Sequence, residues 1–247
     1  MPEQTPNRVA LITGGAGGIG QATARRLVAD GYAVAINYIN NRERAGQAVK
    51  EITEQGAHAI AVRADVADER ETVSMLETVE QTLGGVDVIV NAAGMMPVST
   101  VVDLDMDLFD RMVRVNLRGA FVVAKHGAHR LRPGGAFLSV STSQVGMRFP
   151  TYGPYAATKG ATEILVSVLS KELRGRNITA NVVAPGPIAT SSFYEGKDEA
   201  TVDRLTNLAP LERLGAPEDV AEVIAYLAGP AGRWINGQVI RPNGGVV

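Results

Sequence analysis

"RVALITGGAGGIG", residues 8–20, decides the fold. An apolar run ends at Thr13, a glycine turn follows, and a helical pattern resumes over 18–30. That order is how a βα unit opens. Gly14, Gly18 and Gly20 remove the β-carbons that would keep a pyrophosphate off the backbone, and Gly17 and Ile19 complete the turn. The new helix would offer unbonded N–H groups to negative charge. A glycine-rich turn is also a plain flexible connection. Its place after the first strand of an alternating pattern favours the phosphate reading.

The alternation continues along the chain. "AVAIN" (33–37), "AHAIAV" (57–62), "VDVIVN" (86–91), "GAFLSV" (135–140), "ITANVV" (178–183) and "GQVI" (237–240) read as further strands. Their near-continuous apolar character suits parallel strands covered on both faces. Helical patterns occupy 41–55, 68–83, 105–131, 154–174 and 217–228. The prediction is an α/β chain, 1–247, forming one dinucleotide-binding and catalytic domain around a doubly wound parallel sheet. The segment 186–210 is long, polar and rich in helix breakers, which predicts a mobile substrate loop.

Composition excludes other classes. In 247 residues there is no cysteine, so disulfides, thiol nucleophiles and cysteine metal sites are out. A net charge of −2 gives no pull on nucleic acid or anionic membrane. "MPEQTPNR" has no apolar stretch and no run of about 20 apolar residues exists, so a cytoplasmic protein is expected. His126 and His129 are one turn apart with no evident third ligand, and no metal site is predicted.

Selectivity for a dinucleotide is read at the end of the second strand, "INYINNRER" (36–44). An acidic residue there would bond the ribose diol of NAD. Asn37, Tyr38 and Asn40 are neutral, and Arg42 is placed to pair with a 2′-phosphate, so NADP(H) is favoured over NAD(H). Arg42 and Arg44 suit a solvated helix start equally well. Asp68 and Glu71 form a capping-box pattern, which leaves Asp65, beside Val66, free for an adenine edge. "NAAG" sets Asn91, Ala92 and Gly94 at a strand's carboxyl end, where small residues leave room for a ligand.

"STSQVGMRFPTYGPYAATK" (141–159) carries the chemistry. Pro154 favours a helix start there, which leaves Tyr152 in the loop and puts Tyr155 in the first turn. Lys159 follows at i+4 on the same face, and its charge is expected to draw the tyrosine from about 10 toward about 8. A phenol so placed can act as a general acid–base, and isolated Tyr-x-x-x-Lys pairs are equally common as inert pairs on a helix face.

The ordered set "TGGAGGIG" (13–20), "NAAG" (91–94), "VNLRG" (115–119), "YAATK" (155–159), "PGPIAT" (185–190) and "NGQVI…NGG" (236–245) resembles the short-chain dehydrogenase/reductase family. The nearest likeness is to 3-oxoacyl-acyl-carrier-protein reductase-like members. The resemblance spans essentially the whole chain. It implies a Rossmann-type sheet of about seven strands and hydride transfer between nicotinamide and a small-molecule carbonyl or secondary alcohol. Tyr155 would give the proton. Lys159 would lower the tyrosine pKa and hold the nicotinamide ribose, and Asn116 would position a water toward it. Pro185, Gly186, Ile188 and Thr190 would surround the carboxamide. A homotetramer, or a homodimer, is implied too.

The carbonyl-binding hydroxyl has two candidates. The family's usual spacing from the tyrosine lands on Thr142; aligning the usual serine–glycine pattern on Gly146 selects Ser143. Ser143 is the expectation, with a loop one residue shorter. Met95, Met96, Met147, Phe149, Tyr152, Phe193 and Tyr194 are expected near the cavity mouth, and Arg148 meets an anionic group or solvent. Two competing readings are a dinucleotide sensor without turnover, and an epimerase or dehydratase, which would usually need a longer chain.

Overall fold

The computed structural model describes residues 8–247; the polar segment 1–7 lies outside them. Seven strands form one parallel sheet: β1 (Val9–Thr13), β2 (Ala33–Tyr38), β3 (Ala59–Arg63), β4 (Val86–Asn91), β5 (Leu131–Val140), β6 (Thr179–Val183) and β7 (Val239–Ile240). Their order is β3-β2-β1-β4-β5-β6-β7. The order reverses between β1 and β4, so the connections leaving them diverge and open a crevice at the carboxyl edge.

Helices cover both faces. α1 (Gly18–Ala29), α2 (Arg42–Glu54) and α10 (Pro217–Ala228) lie on one, over Ile12, Ile36 and Leu138. α3 (Glu69–Leu83), α5 (Gly119–Arg130) and α7 (Gly153–Glu172) lie on the other, over Leu11, Ile89 and Phe137. Neighbouring residues such as Leu11 and Ile12 enter opposite cores because strand side chains alternate. Strands β1 and β4 are buried throughout, which is why they read as unbroken apolar runs.

Two segments differ from their sequence pattern. The 105–131 stretch is not one α-helix. It is α4 (Met106–Met112), a π-helical turn (Val113–Arg118) and α5. A π turn inserts a residue while keeping the helix axis, so apolar periodicity does not reveal it. The 186–210 segment carries α8 (Ser191–Tyr194) and α9 (Glu199–Thr206). Their starts are fixed by Thr190, which accepts from Phe193 N, and Asp198, which accepts from Thr201 N. Among the described residues no helix is long and apolar enough to cross a membrane.

Two asparagines expected at the ligand edge turn into the protein instead. Asn37 is 2 % exposed. Its Oδ1 accepts from Gly14 N at 3.3 Å and its Nδ2 donates to Ala64 O at 3.0 Å, tying the glycine turn to the end of β3. Asn91 is likewise buried; its Oδ1 accepts from Thr13 Oγ1 at 2.8 Å and its Nδ2 donates to Ser139 Oγ at 3.4 Å. Both atoms of each amide are engaged by protein partners. Buried amides satisfied in this way stiffen a sheet, and truncating one strands its partners. Asn37→Ala is expected to lower the unfolding free energy by about 2 kcal/mol in urea titration; unchanged stability would contradict the bracing role.

Candidate active site

The first helix begins with an open N-terminus. Gly17 caps α1 with no side chain, and the first turn carries no acidic residue. Gly14 has φ +62°, which favours glycine, and a β-carbon there would lie 2.8 Å from Ala93 Cα. One at Gly18 would lie 2.8 Å from Thr190 Cγ2, and one at Gly20 2.6 Å from Gly14 O. The unbonded N–H groups and the bare turn make a cradle that fits a pyrophosphate.

That cradle borders a cavity of about 630 Å³. Of the residues picked out in the sequence, Ile19, Ala92, Gly94, Thr142, Ser143, Pro185, Gly186, Ile188 and Thr190 line it, together with Tyr155 and Lys159. Met95, Met96, Met147, Tyr152 and Phe193 do so too, while Arg148, Phe149 and Tyr194 do not. Tyr194 instead stands edge-on to the Phe193 ring, at 5.2 Å between centroids.

The second-strand side has a different arrangement from the expected one. Tyr38 is half-buried at the end of β2, and Arg42 is exposed as the first residue of α2. Asp65 is not free. Its carboxylate accepts from Ala67 N at 2.9 Å and Arg114 Nη1 at 2.6 Å. The capping box is only half formed, because Glu71 accepts from Asp65 N rather than from Asp68 N. Asp68 still caps α3 by accepting from Arg70 N and Glu71 N. Val66 is buried against Gly119, so its side chain packs into α5 rather than facing a ligand.

The two candidate hydroxyls are held differently. Ser143 is fully buried; its Oγ donates to Ala184 O at 2.8 Å and accepts from Asn243 Nδ2 at 3.0 Å. Both its functions are used away from Tyr155. Thr142 and the Tyr155 phenol line the same cavity. Thr142 Oγ1 accepts from Gln144 N at 3.2 Å, which leaves its proton to donate.

α7 begins at Gly153 with Tyr152 as its cap residue and Pro154 at its start, as proline geometry requires. Tyr155 and Lys159 both face the sheet and are buried. Asn116 lies on the π turn, and its amide is engaged. Oδ1 accepts from Met95 N at 2.8 Å; Nδ2 donates to Met95 O at 2.9 Å and Thr158 Oγ1 at 3.2 Å. A β-carbon at Gly94 would lie 3.2 Å from Asn116 Oδ1 and 3.3 Å from Lys159 Nζ, so both groups converge above that glycine. Gln144, Lys197 and Leu205 also line the cavity and were not singled out in the sequence. Loop closure brings them there, and no local pattern marks it.

Comparison with known proteins agrees with this geometry. The family model described as enoyl-(acyl carrier protein) reductase matches residues 14–247. A short-chain type dehydrogenase/reductase of Picea abies is 39% identical over 97% of this chain and 92% of its own. The chain belongs to the short-chain dehydrogenase/reductase family. An Arabidopsis thaliana protein named NADPH-dependent aldehyde reductase-like protein, chloroplastic, is 38% identical over 100% of this chain and 96% of its own. A short-chain dehydrogenase from Burkholderia cenocepacia J2315, solved in complex with NADP, superposes with a TM-score of 0.91 at 35% identity, covering 98% of each chain.

In this short-chain dehydrogenase/reductase, burial overrides the expected lysine effect. Desolvation pushes the Tyr155 phenol up to about 12, against the lowering pull of the Thr142 hydrogen bond. Desolvation pushes the Lys159 amine down to about 8; its Nζ donates to Val140 O at 2.8 Å. The Tyr155–Lys159 attraction that i+4 spacing suggested does not set either value in the protein alone.

The sign of the resulting stability effect follows from linkage. The folded pKa of Lys159 is below its ordinary 10.5. The folded state therefore holds that proton less tightly than the unfolded chain. The penalty is complete below about pH 8 and fades as pH rises toward 10.5. About 2.5 pKa units correspond to about 3 kcal/mol, and the orphaned Val140 carbonyl returns about 1 kcal/mol of that. Lys159→Met is expected to stabilise the cofactor-free protein by about 2 kcal/mol at pH 7, with the gain shrinking toward pH 10.5, as read by urea unfolding. A variant less stable than wild type at pH 7 would contradict the burial account.

Proposed function

We propose that this chain is an NADP(H)-dependent oxidoreductase that interconverts a carbonyl compound and its secondary or primary alcohol, working chiefly as a reductase. The observation that carries the reading is the Tyr155 phenol, beside Thr142 and Lys159 in a cavity that runs into an anion-receiving glycine cradle. The relatives support it: the Arabidopsis protein is named for NADPH-dependent aldehyde reduction and the Burkholderia structure holds NADP.

The roles follow from placement. Bound in the cradle, the dinucleotide would supply hydride to the carbonyl carbon. Tyr155 donates its proton to the carbonyl oxygen, and its raised pKa keeps the phenol protonated through the neutral range, the form reduction requires. Thr142 donates a second hydrogen bond to the same oxygen, stabilising the charge that develops there. Lys159 sits within the protein to hold a ribose hydroxyl and favour the phenolate once the proton has left. Asn116 braces the Met95 backbone and keeps one Oδ1 lone pair for a water toward Lys159. Ile188 and Thr190 bound the carboxamide end, and Gly14, Gly17, Gly18 and Gly20 form the pyrophosphate cradle. Tyr38 and Arg42 flank the 2′-phosphate position, where no carboxylate intervenes between Asn37 and Arg42.

The segment 186–210 closes over the substrate, bringing Phe193, Lys197 and Leu205 against it. The methionines and aromatic rings of that wall suit a partly apolar carbonyl compound. Exposed apolar residues on α5 and α7, Phe121, Ile164 and Val168, support assembly into a homotetramer or homodimer. The cysteine-free composition supports a cytoplasmic location, although the Arabidopsis relative is named chloroplastic. A non-catalytic sensor is not favoured, since cofactor binding alone needs no hydroxyl pair buried in the cavity floor.

Steady-state oxidation of NADPH and NADH over a panel of aldehydes, ketones and diketones tests the function. Wild type should turn over at least one class and prefer NADPH. Tyr155→Phe should lose about 10³-fold in kcat, and Thr142→Ala about 10-fold or more. Arg42→Ala should raise KM for NADPH about 10-fold and leave NADH unaffected. Cofactor binding with no turnover on any carbonyl would favour the sensor, and a wild-type rate in Tyr155→Phe would remove it as proton donor.

A further inference from the structure

The run Ser141-Thr142-Ser143 places two buried hydroxyls on either side of Thr142, which lines the cavity with Tyr155, and each flanking serine is tied to a different element. Ser141 N donates to Val183 O at 2.8 Å, and its Oγ donates to Glu163 Oε1, also at 2.8 Å. Glu163 lies on α7 one turn beyond Lys159, nearly buried, with Arg241 Nη2 3.7 Å from its other oxygen. Ser143 N donates to Pro185 O at 2.8 Å, and its Oγ bridges Ala184 O and Asn243 Nδ2. Asn243 is held in turn: its Oδ1 accepts from Gly245 N at 2.9 Å, and a β-carbon on Gly186 would sit 2.9 Å from its own Cβ.

We propose that Ser141 and Ser143, anchored by Glu163 and Asn243, are positioning residues that fix the Thr142 hydroxyl against the Tyr155 phenol. The proposal rests on the Thr142 assignment above. Both serines line the cavity, and each Oγ is already held by a protein partner. Yet each is one peptide bond from Thr142, so anchoring both leaves its backbone little freedom. The two anchors also come from structures that bear on the reaction in other ways. Glu163 shares α7 with Tyr155 and Lys159, and Asn243 packs on the Pro185–Pro187 turn that faces the carboxamide position. A shift in either is passed to the hydroxyl pair. Reaction geometry is steep in distance, and a displacement of about 1 Å costs up to about 100-fold in rate.

The test compares Ser143→Ala, Glu163→Leu and Glu163→Gln, each in wild-type and Thr142→Ala backgrounds, with NADPH and benzaldehyde or the best carbonyl of the panel. In the wild-type background Ser143→Ala and Glu163→Leu should each lower kcat about 10-fold, with KM for NADPH within about twofold. Glu163→Gln keeps an acceptor oxygen for Ser141 and should retain kcat within about threefold. In the Thr142→Ala background the same changes should cost nothing further, because the group they position is gone. An equal loss in both backgrounds, or a Glu163→Gln as damaged as Glu163→Leu, would overturn the proposal. A Thr142→Ala enzyme with wild-type kcat would instead overturn the assignment beneath it. An activity-free readout is the Tyr155 13Cζ resonance in the cofactor-free protein. Ser143→Ala and Glu163→Leu should move it in the direction that Thr142→Ala does; no movement would overturn the positioning role.

Discussion

A buried lysine amine on the cavity floor, with one main-chain carbonyl as its partner, sets the terms of this structure. Lys159 donates to Val140 O, and its pKa falls to about 8 because nothing nearby compensates for lost hydration. Such a group is tolerated only where the surrounding fold is rigid enough to hold it. The rigidity comes from the sheet. Val140 ends β5, paired with β4 and β6, and α7 packs along β6. The parallel sheet thus places a strained cation and a buried phenol at its carboxyl edge, where the crevice between β1 and β4 admits a ligand. Stability and chemistry oppose each other at this one residue.

The same edge is stiffened by buried polar side chains that touch no ligand position. Thr13, Asn91 and Ser139 link β1, β4 and β5 at the level where the strands end. Asn37 fastens the glycine turn to β3, and Ser143 with Asn243 fastens β5 to the ends of β6 and β7. Each bond is short-range, but together they make a frame on which Tyr155, Thr142 and the glycine cradle keep fixed relations. That is how binding geometry is held before a ligand arrives.

How much of this was legible in the sequence depends on the range of the signal. The glycine turn, the strand-helix alternation and the Pro154 helix start are local, and all three appear where the pattern puts them. The Tyr155–Lys159 pair was legible too, but its electrostatics were not. Spacing reports that two groups share a helix face; it says nothing of how deeply that face is buried. The protein partners of Asn37, Asn91 and Asp65 are hidden from the sequence for a related reason. Each stands at a strand's carboxyl end, where ligands bind, but which way a polar side chain turns is settled by partners far along the chain. Asp65 found Arg114, 49 residues away. The partners of Ser143 Oγ, Ala184 O and Asn243, come from far along the chain, and a glycine alignment does not show them. The π turn at Val113–Arg118 left no mark on the apolar period, although the asparagine inside it was noticed.

The account therefore stands on one pair, Tyr155 with Thr142, as the donors to a carbonyl oxygen. A crystal structure of the full chain with NADP+ and an unreactive carbonyl analogue tests that pair directly. The oxygen should lie about 2.8 Å from both Tyr155 Oη and Thr142 Oγ1, with Ser143 Oγ still bonded to Ala184 O. An oxygen held by Ser143, or bound away from Tyr155, would contradict it.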